Sequence, residues 1–217
     1  MKTENDSIIQ SPERMQRMTD IVFAVSMVLF IISGMMSFND ASYWVEYDKD
    51  PDAYIVKSIS ELITAFLVFL FIALYWVTNY NQSAYIARVD KTYIWINVLF
   101  LFFISLAPFT NILSMQFGSD IYVQLFFNLD MFFIGIFAYL SWYYASKNSR
   151  LLHKGITKEQ IKTINQEMTV EPLVAVLATI VTFINIDYWE ISLILLPIGI
   201  IVISVMASKR KKKNAVN

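Results

Sequence analysis

The sequence predicts an all-α polytopic membrane protein with six transmembrane helices, and three observations support this fold class. The 217 residues are 57% hydrophobic and 16% charged, whereas soluble domains are nearer to half apolar and a quarter charged. Several apolar stretches approach the roughly 20 residues that a helix needs to cross a bilayer. Basic residues also cluster between alternate stretches. We therefore expect residues 1–217 to form a single transmembrane domain.

The expected spans follow the apolar stretches along the chain. They cover residues 20–38, 60–79, 93–113, 121–146, 172–187 and 190–207. Between the last two, polar residues predict a tight turn at the membrane surface, with Tyr188 and Trp189 at the level of the headgroups. A single re-entrant element is the alternative. The segment 147–171 is predicted to be a polar linker containing a short helix from Thr157, which forms a capping box with Gln160.

The distribution of charge predicts the orientation of these helices. The segment 39–58 is mainly acidic, and the loop 114–120 contains no Lys or Arg. Basic residues lie in the segments 14–17, 88–91, 147–162 and 209–213. With six spans, all of these basic segments fall on one side, as the positive-inside rule requires. Both termini are therefore predicted to be cytoplasmic. The basic tail is expected to anchor the last helix, with binding of anionic lipid as the alternative.

The composition argues against several classes of protein. There is no cysteine, and His153 is the single histidine, so thiolate or histidine metal clusters and a Ser-His-Asp triad are not expected. No glycine-rich phosphate loop is present. We therefore expect neither an enzyme nor a cofactor, a bound metal or a nucleic-acid partner. The first nineteen residues are polar and do not have the pattern of a removable signal peptide.

Asp130 lies in the middle of the fourth apolar stretch. A carboxylate at this depth costs roughly 2.5–3.5 kcal/mol, so it must be protonated, paired or hydrated. One interpretation is an ion or proton site. The other is a hydrogen bond between two helices that stabilises the bundle.

The first apolar helix has two stripes that could line a pore. An apolar face contains Val25, Val28 and Ile32, and a second stripe carries the hydroxyls of Thr19, Ser26 and Ser33. Hydroxyl groups are the natural lining for an aqueous pore. However, small hydroxyl residues also allow helices to pack closely, so the residues alone leave both assignments open.

Two segments resemble the prokaryotic TMEM175-type potassium channels. The segment 14–32, "RMQRMTDIVFAVSMVLFII", is similar to the first helix of that family, whose signature is R-x-x-x-F-S-D followed by V-F-A-I-A-x-T-L-L. Arg14 and Asp20 match the ends of the signature, and residues 22–24 match directly. The segment 75–110 resembles the second cytoplasmic turn and third helix of the family. The residues at matching positions there are Tyr75, Trp76, Asp90, Trp95, Asn97, Pro108 and Phe109.

This resemblance implies a homotetramer in the cell membrane that conducts K⁺, and other monovalent cations to some extent, along a central pore surrounded by lipid. The first helix would line the pore, and rings of apolar side chains at Val25, Val28 and Ile32 would replace a carbonyl filter. The resemblance also implies a structural motif at the inner end of this helix and a network that supports it. The motif residues are Arg14, Met18, Thr19 and Asp20. The supporting residues are Tyr75, Trp76, Asn79, Asp90, Trp95 and Asn97.

The sequence departs from the family pattern at several positions. The Phe-Ser pair before the acid is Met18-Thr19, the threonine eight residues after the acid is Val28, and the histidine pair after Tyr-Trp is Asn79-Tyr80. A valine ring offers no hydroxyl to a partly dehydrated ion, and apolar constrictions close by dewetting. We therefore expect weaker selectivity, lower conductance or a normally closed pore. The alternatives are a secondary transporter with Asp130 as its proton site, or a membrane scaffold that conducts no ions.

Overall fold

The computed structural model describes residues 11–36 and 48–186, together with residues 195, 198, 199 and 202. Five long helices occupy the two continuous ranges. They are α1 (Glu13–Met36), α2 (Pro51–Ser83), α3 (Lys91–Gln116), α4 (Ile121–Ser146) and α5 (Lys158–Ile184). A single 3₁₀ turn, Lys147–Ser149, follows α4. Within the described ranges the protein is all-helical, as the sequence predicts.

Side-chain caps determine where four of these helices begin. The carboxylates of Asp50, Asp90 and Asp120 accept hydrogen bonds from backbone amides in the first turns of α2, α3 and α4. Thr157 and Gln160 form the predicted capping box at the start of α5. These caps satisfy amides that have no partner within the helix. An acidic cap also interacts favourably with the positive end of the helix dipole.

The helices pack in a simple spatial order. α1 lies against α2 and α3, while α4 lies between α3 and α5. The interior contains large side chains that are almost completely buried, including Phe23 and Phe30 of α1, Phe100 of α3, and Ile134 and Trp142 of α4. α1 is thus held by α2 and α3, and α4 joins the second half of the bundle to the first.

Four helices in the described ranges are long and apolar enough to cross a membrane, judged by length and composition. They are Glu13–Ile32, Lys91–Ser114, Ile121–Ser149 and Lys158–Ile184. The predicted span 60–79 lies within α2. The predicted span 190–207 and the turn residues Tyr188 and Trp189 lie outside the described residues, apart from four separate positions in the last span. The chain is a multi-pass membrane protein, and the count of six spans stays a prediction.

The segment before the fifth span differs from the prediction. The sequence predicts a polar linker with a short helix from Thr157 and a separate span from residue 172. Instead, α5 is one continuous helix of 27 residues that includes Pro172. The predicted start is confirmed, whereas the separation into two elements is wrong. Residues 158–171 include several good helix formers, and a proline inside a helix removes one backbone hydrogen bond without always ending the helix.

Truncation of Phe23 should destabilise the bundle, because this side chain is fully buried and lies 5.9 Å from the ring of Phe100 between centroids. We expect Phe23→Ala to lower the free energy of unfolding by about 3–5 kcal/mol. The midpoint of thermal unfolding in detergent, measured by size-exclusion chromatography, should fall accordingly. Phe183→Ala is the matched control, since Phe183 is 66% exposed in the chain. Equal midpoints for the two variants would contradict the buried position of Phe23.

Candidate functional site

The two faces of α1 have opposite environments. Phe23, Ser26 and Phe30 are at most 2% exposed and recur at three- and four-residue intervals along one side of the helix. On the other side, Val25 and Val28 are each 53% exposed and Ile32 is 44% exposed. The aromatic face therefore packs inside the subunit, while the valine face remains uncovered in the single chain.

Three side-chain hydrogen bonds attach α1 to its neighbours. Near its start, Gln16 donates to the carbonyl of Ser83 on α2 over 3.3 Å. One turn later, the Trp76 indole Nε1 donates to Asp20 Oδ1 over 2.9 Å. Ser26 Oγ donates to the carbonyl of Ile104 on α3 over 3.2 Å. Bonds at three levels to two different helices fix the rotation of α1 about its own axis.

The hydroxyl stripe of α1 faces the interior of the subunit. Thr19 is 4% exposed and Ser26 is 2% exposed, so neither hydroxyl is available to an aqueous pore outside the chain. The side chain of Ser33 lies outside the described set. Of the two stripes that the sequence leaves open as a pore lining, the apolar one with Val25, Val28 and Ile32 is the one that the fold exposes.

The structural motif at the start of α1 is divided between three environments. Asp20 contacts Trp76 and Thr19 is buried. Arg14 and Met18 border a cavity of about 240 Å³, whose wall on α3 includes Asn97. Asn97 itself is buried and donates to the carbonyl of Tyr93 in its own helix over 2.9 Å.

The structure brings only some of the supporting residues to α1. Tyr75 is buried beside Trp76, and Tyr75 and Asn79 border a narrow cavity between helices. Trp95 is 60% exposed and points away from the interior of the chain. Asp90 belongs to a different cluster, at the loop that precedes α3.

Asp90 organises the end of the bundle at which α2 meets α3. One carboxylate oxygen caps α3 by accepting from the Tyr93 amide, and the other accepts from the Tyr144 hydroxyl over 2.8 Å. Arg150 Nε lies 3.7 Å from the same second oxygen. Tyr144 and Arg150 were not singled out from the sequence, because they lie more than fifty residues from Asp90 and neither belongs to a recognisable pattern with it.

Asp130 is 2% exposed and lies between α4 and α3. Thr110 Oγ1 donates to its Oδ2 over 2.9 Å, and its Oδ1 has no hydrogen-bond partner in the described part of the chain. The interaction is the hydrogen bond between helices that one of the two interpretations predicts. It agrees with a stabilising role, and the described residues contain no group of three or more His, Cys, Asp or Glu side chains that could hold a metal ion.

Further polar pairs join α3, α4 and α5. Ser114 Oγ donates to Gln124 Oε1 over 2.9 Å, and Asn128 Nδ2 donates to Thr182 Oγ1 over 3.0 Å. All four side chains are buried. Such bonds contribute to helix association where the surroundings are apolar. The sequence gives the polar residues but not their pairing, which depends on the helix packing.

The fold and its exposed first helix define a class, namely multi-pass helical membrane proteins in which α1 has an uncovered apolar face. Residues 14–108 match the family model described as "Endosomal/lysosomal potassium channel TMEM175". This range includes α1, α2 and most of α3, a little less than half of the chain. No curated protein sequence matches the chain significantly.

Two solved structures have a similar fold. A crystal structure described as a lysosomal potassium-selective channel TMEM175 homolog from Chamaesiphon Minutus has a TM-score of 0.67 and 17% identity, covering 90% of this chain and 97% of that one. A variant of the potassium channel MtTMEM175, in complex with a nanobody–MBP fusion, has a TM-score of 0.57 and 18% identity, covering 95% and 96%. The family match over residues 14–108 and this shared fold confirm the resemblance of the chain to TMEM175-type potassium channels.

Removing the donor to Asp130 should destabilise the bundle more than removing both partners. Thr110→Val leaves a buried carboxyl group without its hydrogen bond, which costs about 1–3 kcal/mol. The double variant Thr110→Val/Asp130→Leu replaces the pair by apolar groups of similar size and should recover most of that loss. Thermal unfolding in detergent measures both effects. A double variant less stable than Thr110→Val would show that Asp130 has a further essential partner.

Proposed function

We propose that the protein is a potassium-preferring cation channel of the cell membrane, built as a homotetramer around a central pore lined by α1. The observation that carries the proposal is the exposure of the apolar face of α1, since Val25 and Val28 are each more than half exposed in a helix of membrane length. The family match includes this helix, and the solved structures with a similar fold are described as potassium channels or their homologues.

The topology in this proposal has six spans per subunit with both termini in the cytoplasm. Under this arrangement the acidic segment 39–58 lies outside, and the loops that contain Arg88 and Arg150 lie inside. The Asp20–Trp76 bond then lies toward the cytoplasmic end of the pore helix.

The proposed constriction consists of successive rings of Val25, Val28 and Ile32. Residues three and four apart on a helix are separated by about 4.5–6 Å along its axis, so the rings would form a continuous apolar throat. A narrow apolar throat of this kind loses its water by dewetting, and ions cannot pass until the throat widens and fills with water again. A cation that passes must shed part of its hydration shell, and K⁺ does so at lower cost than Na⁺.

In this mechanism the polar contacts of α1 are structural. Gln16, Asp20 and Ser26 bond to α2 or α3 and thereby hold the valine face toward the axis. The Asp20–Trp76 bond lies in the cytoplasmic half of α1, one turn after the Gln16 bond, where a carboxylate also attracts cations. We assign Arg14, Met18 and Thr19 to the packing of this same end.

Flux measurements on purified protein in K⁺-loaded liposomes test the proposal. We expect flux that does not saturate with K⁺ concentration, and we expect Val25→Ala and Val28→Ala to increase it because smaller side chains widen and wet the throat. Asp130→Asn should leave the flux and its pH dependence unchanged. Saturable, pH-coupled flux that is lost in Asp130→Asn would favour the secondary transporter. No flux in any variant would favour a non-conducting scaffold.

Val28→Thr should raise selectivity for K⁺ over Na⁺. The substitution keeps the shape of the side chain and adds a ring of hydroxyls that can coordinate a partly dehydrated ion. Reversal potentials in planar bilayers under mixed K⁺/Na⁺ gradients measure the change. Val176→Thr is the matched control, because Val176 is 44% exposed on α5, remote from the proposed throat. An identical reversal potential for wild type and Val28→Thr would place residue 28 outside the pore.

A further inference from the structure

A second concave site lies at the end of the bundle where α4 meets the 3₁₀ turn. Its volume is about 510 Å³. We call it the basic cavity, and its lining residues are Arg88, Tyr143, Tyr144, Lys147, Asn148, Ser149 and Arg150. Three of them carry positive charge and none is acidic. This composition favours an anionic ligand.

Two loops that are fastened together build the cavity. The Ala87 amide donates to the Leu151 carbonyl over 2.8 Å, and the His153 amide donates to the Tyr85 carbonyl over 3.0 Å. Arg88 donates to the Arg150 carbonyl through both Nε and Nη2, over 3.1 and 2.9 Å. The basic side chains are therefore held on a connected backbone, which lowers the entropy cost of gathering them around a ligand.

Aromatic rings orient two of the three cations. The guanidinium of Arg150 lies 4.7 Å from the centre of the Tyr144 ring, and Lys147 Nζ lies 5.6 Å from that of Tyr143. The nearby carboxylate of Asp90 is 7% exposed and also accepts from the Tyr93 amide and the Tyr144 hydroxyl. Of the three cations, Arg150 lies beside this buried carboxylate, and no acidic residue lines the cavity, which therefore keeps an excess of positive charge.

The backbone of the cavity wall has an unusual conformation. Asn148 and Ser149 have φ angles of 57° and 52°, in the left-handed region that residues other than glycine rarely adopt. The chain reverses here directly after α4, which brings Lys147 and Arg150 to the same concave surface as Arg88. The unfavourable turn therefore serves to gather the basic side chains.

The basic cavity lies at the end of a membrane-length helix. The apolar stretch Ile121–Ser149 ends in it, and Tyr143 and Tyr144 are residues of the type that occupies the membrane–water interface. Basic residues at this level attract anionic headgroups. We propose that the basic cavity binds the phosphate group of an anionic phospholipid. The proposal requires only that α4 spans the membrane and is independent of ion conduction.

Titration of the purified full-length protein in neutral detergent tests this assignment. The probes are water-soluble dioctanoylphosphatidylglycerol and, in parallel, inorganic phosphate, and the readout is the dissociation constant. We expect saturable binding of the lipid that weakens about fivefold in Lys147→Gln and in Arg88→Gln. Lys147→Gln is the cleaner variant, because Arg88 also fastens the two loops.

Lys154→Gln is the matched control, since Lys154 is exposed in the same loop but does not line the cavity. It should bind the lipid as wild type does. Equal weakening in Lys147→Gln and Lys154→Gln, or no weakening in either cavity variant, would overturn the proposal. Inorganic phosphate that binds as tightly as the lipid and competes with it would assign the site to a soluble anion and overturn the lipid assignment.

Discussion

The rotation of α1 about its axis is the constraint on which the rest of the structure depends. Phe23, Ser26 and Phe30 fill the interior against α3, and the Ser26 hydroxyl bonds to the Ile104 carbonyl. Turning the helix would expose two aromatic rings and break three hydrogen bonds to its neighbours. The valine face is consequently presented outward by the packing of the subunit itself, before any other subunit is considered.

This constraint also explains how polar residues can adjoin the first apolar stretch. Asp20 is held by the Trp76 indole, and Thr19 lies in the protein interior. Neither group has to face acyl chains, where an unpaired polar group is costly. In the second half of the bundle, Thr110–Asp130 and Asn128–Thr182 apply the same rule between helices.

The sequence predicted the elements better than their contacts. The positions of α3 and α4 and the capping box at Thr157 follow from local signals, namely apolar length and short-range side-chain chemistry. The continuity of α5 through Pro172 was missed. A proline at a change in polarity occurs both where a helix ends and where it continues with a bend, so the sequence does not distinguish the two cases. The first helix could be recognised from its signature, but the choice between its two stripes required the packing against α3.

The least predictable contacts join residues far apart in the chain. Asp90, Tyr144 and Arg150 meet because two loops run side by side, and no periodicity connects them. The same applies to the basic cavity. Its basic residues were recognised in the sequence only as part of the excess of positive charge in the segments between spans, and their grouping into one cavity was not predicted. Local patterns determine which helices form, whereas these clusters depend on the tertiary arrangement of their ends.

The continuous α5 has a mechanical consequence. Its 27 residues extend about 40 Å at 1.5 Å per residue, compared with roughly 30 Å of hydrocarbon. The polar residues that follow Thr157 therefore continue as a rod beyond the lipid. Pro172 cannot donate a backbone hydrogen bond, so the helix is most compliant there. A load applied to the protruding arm would flex the helix at this proline and be transmitted to α4, against which α5 packs.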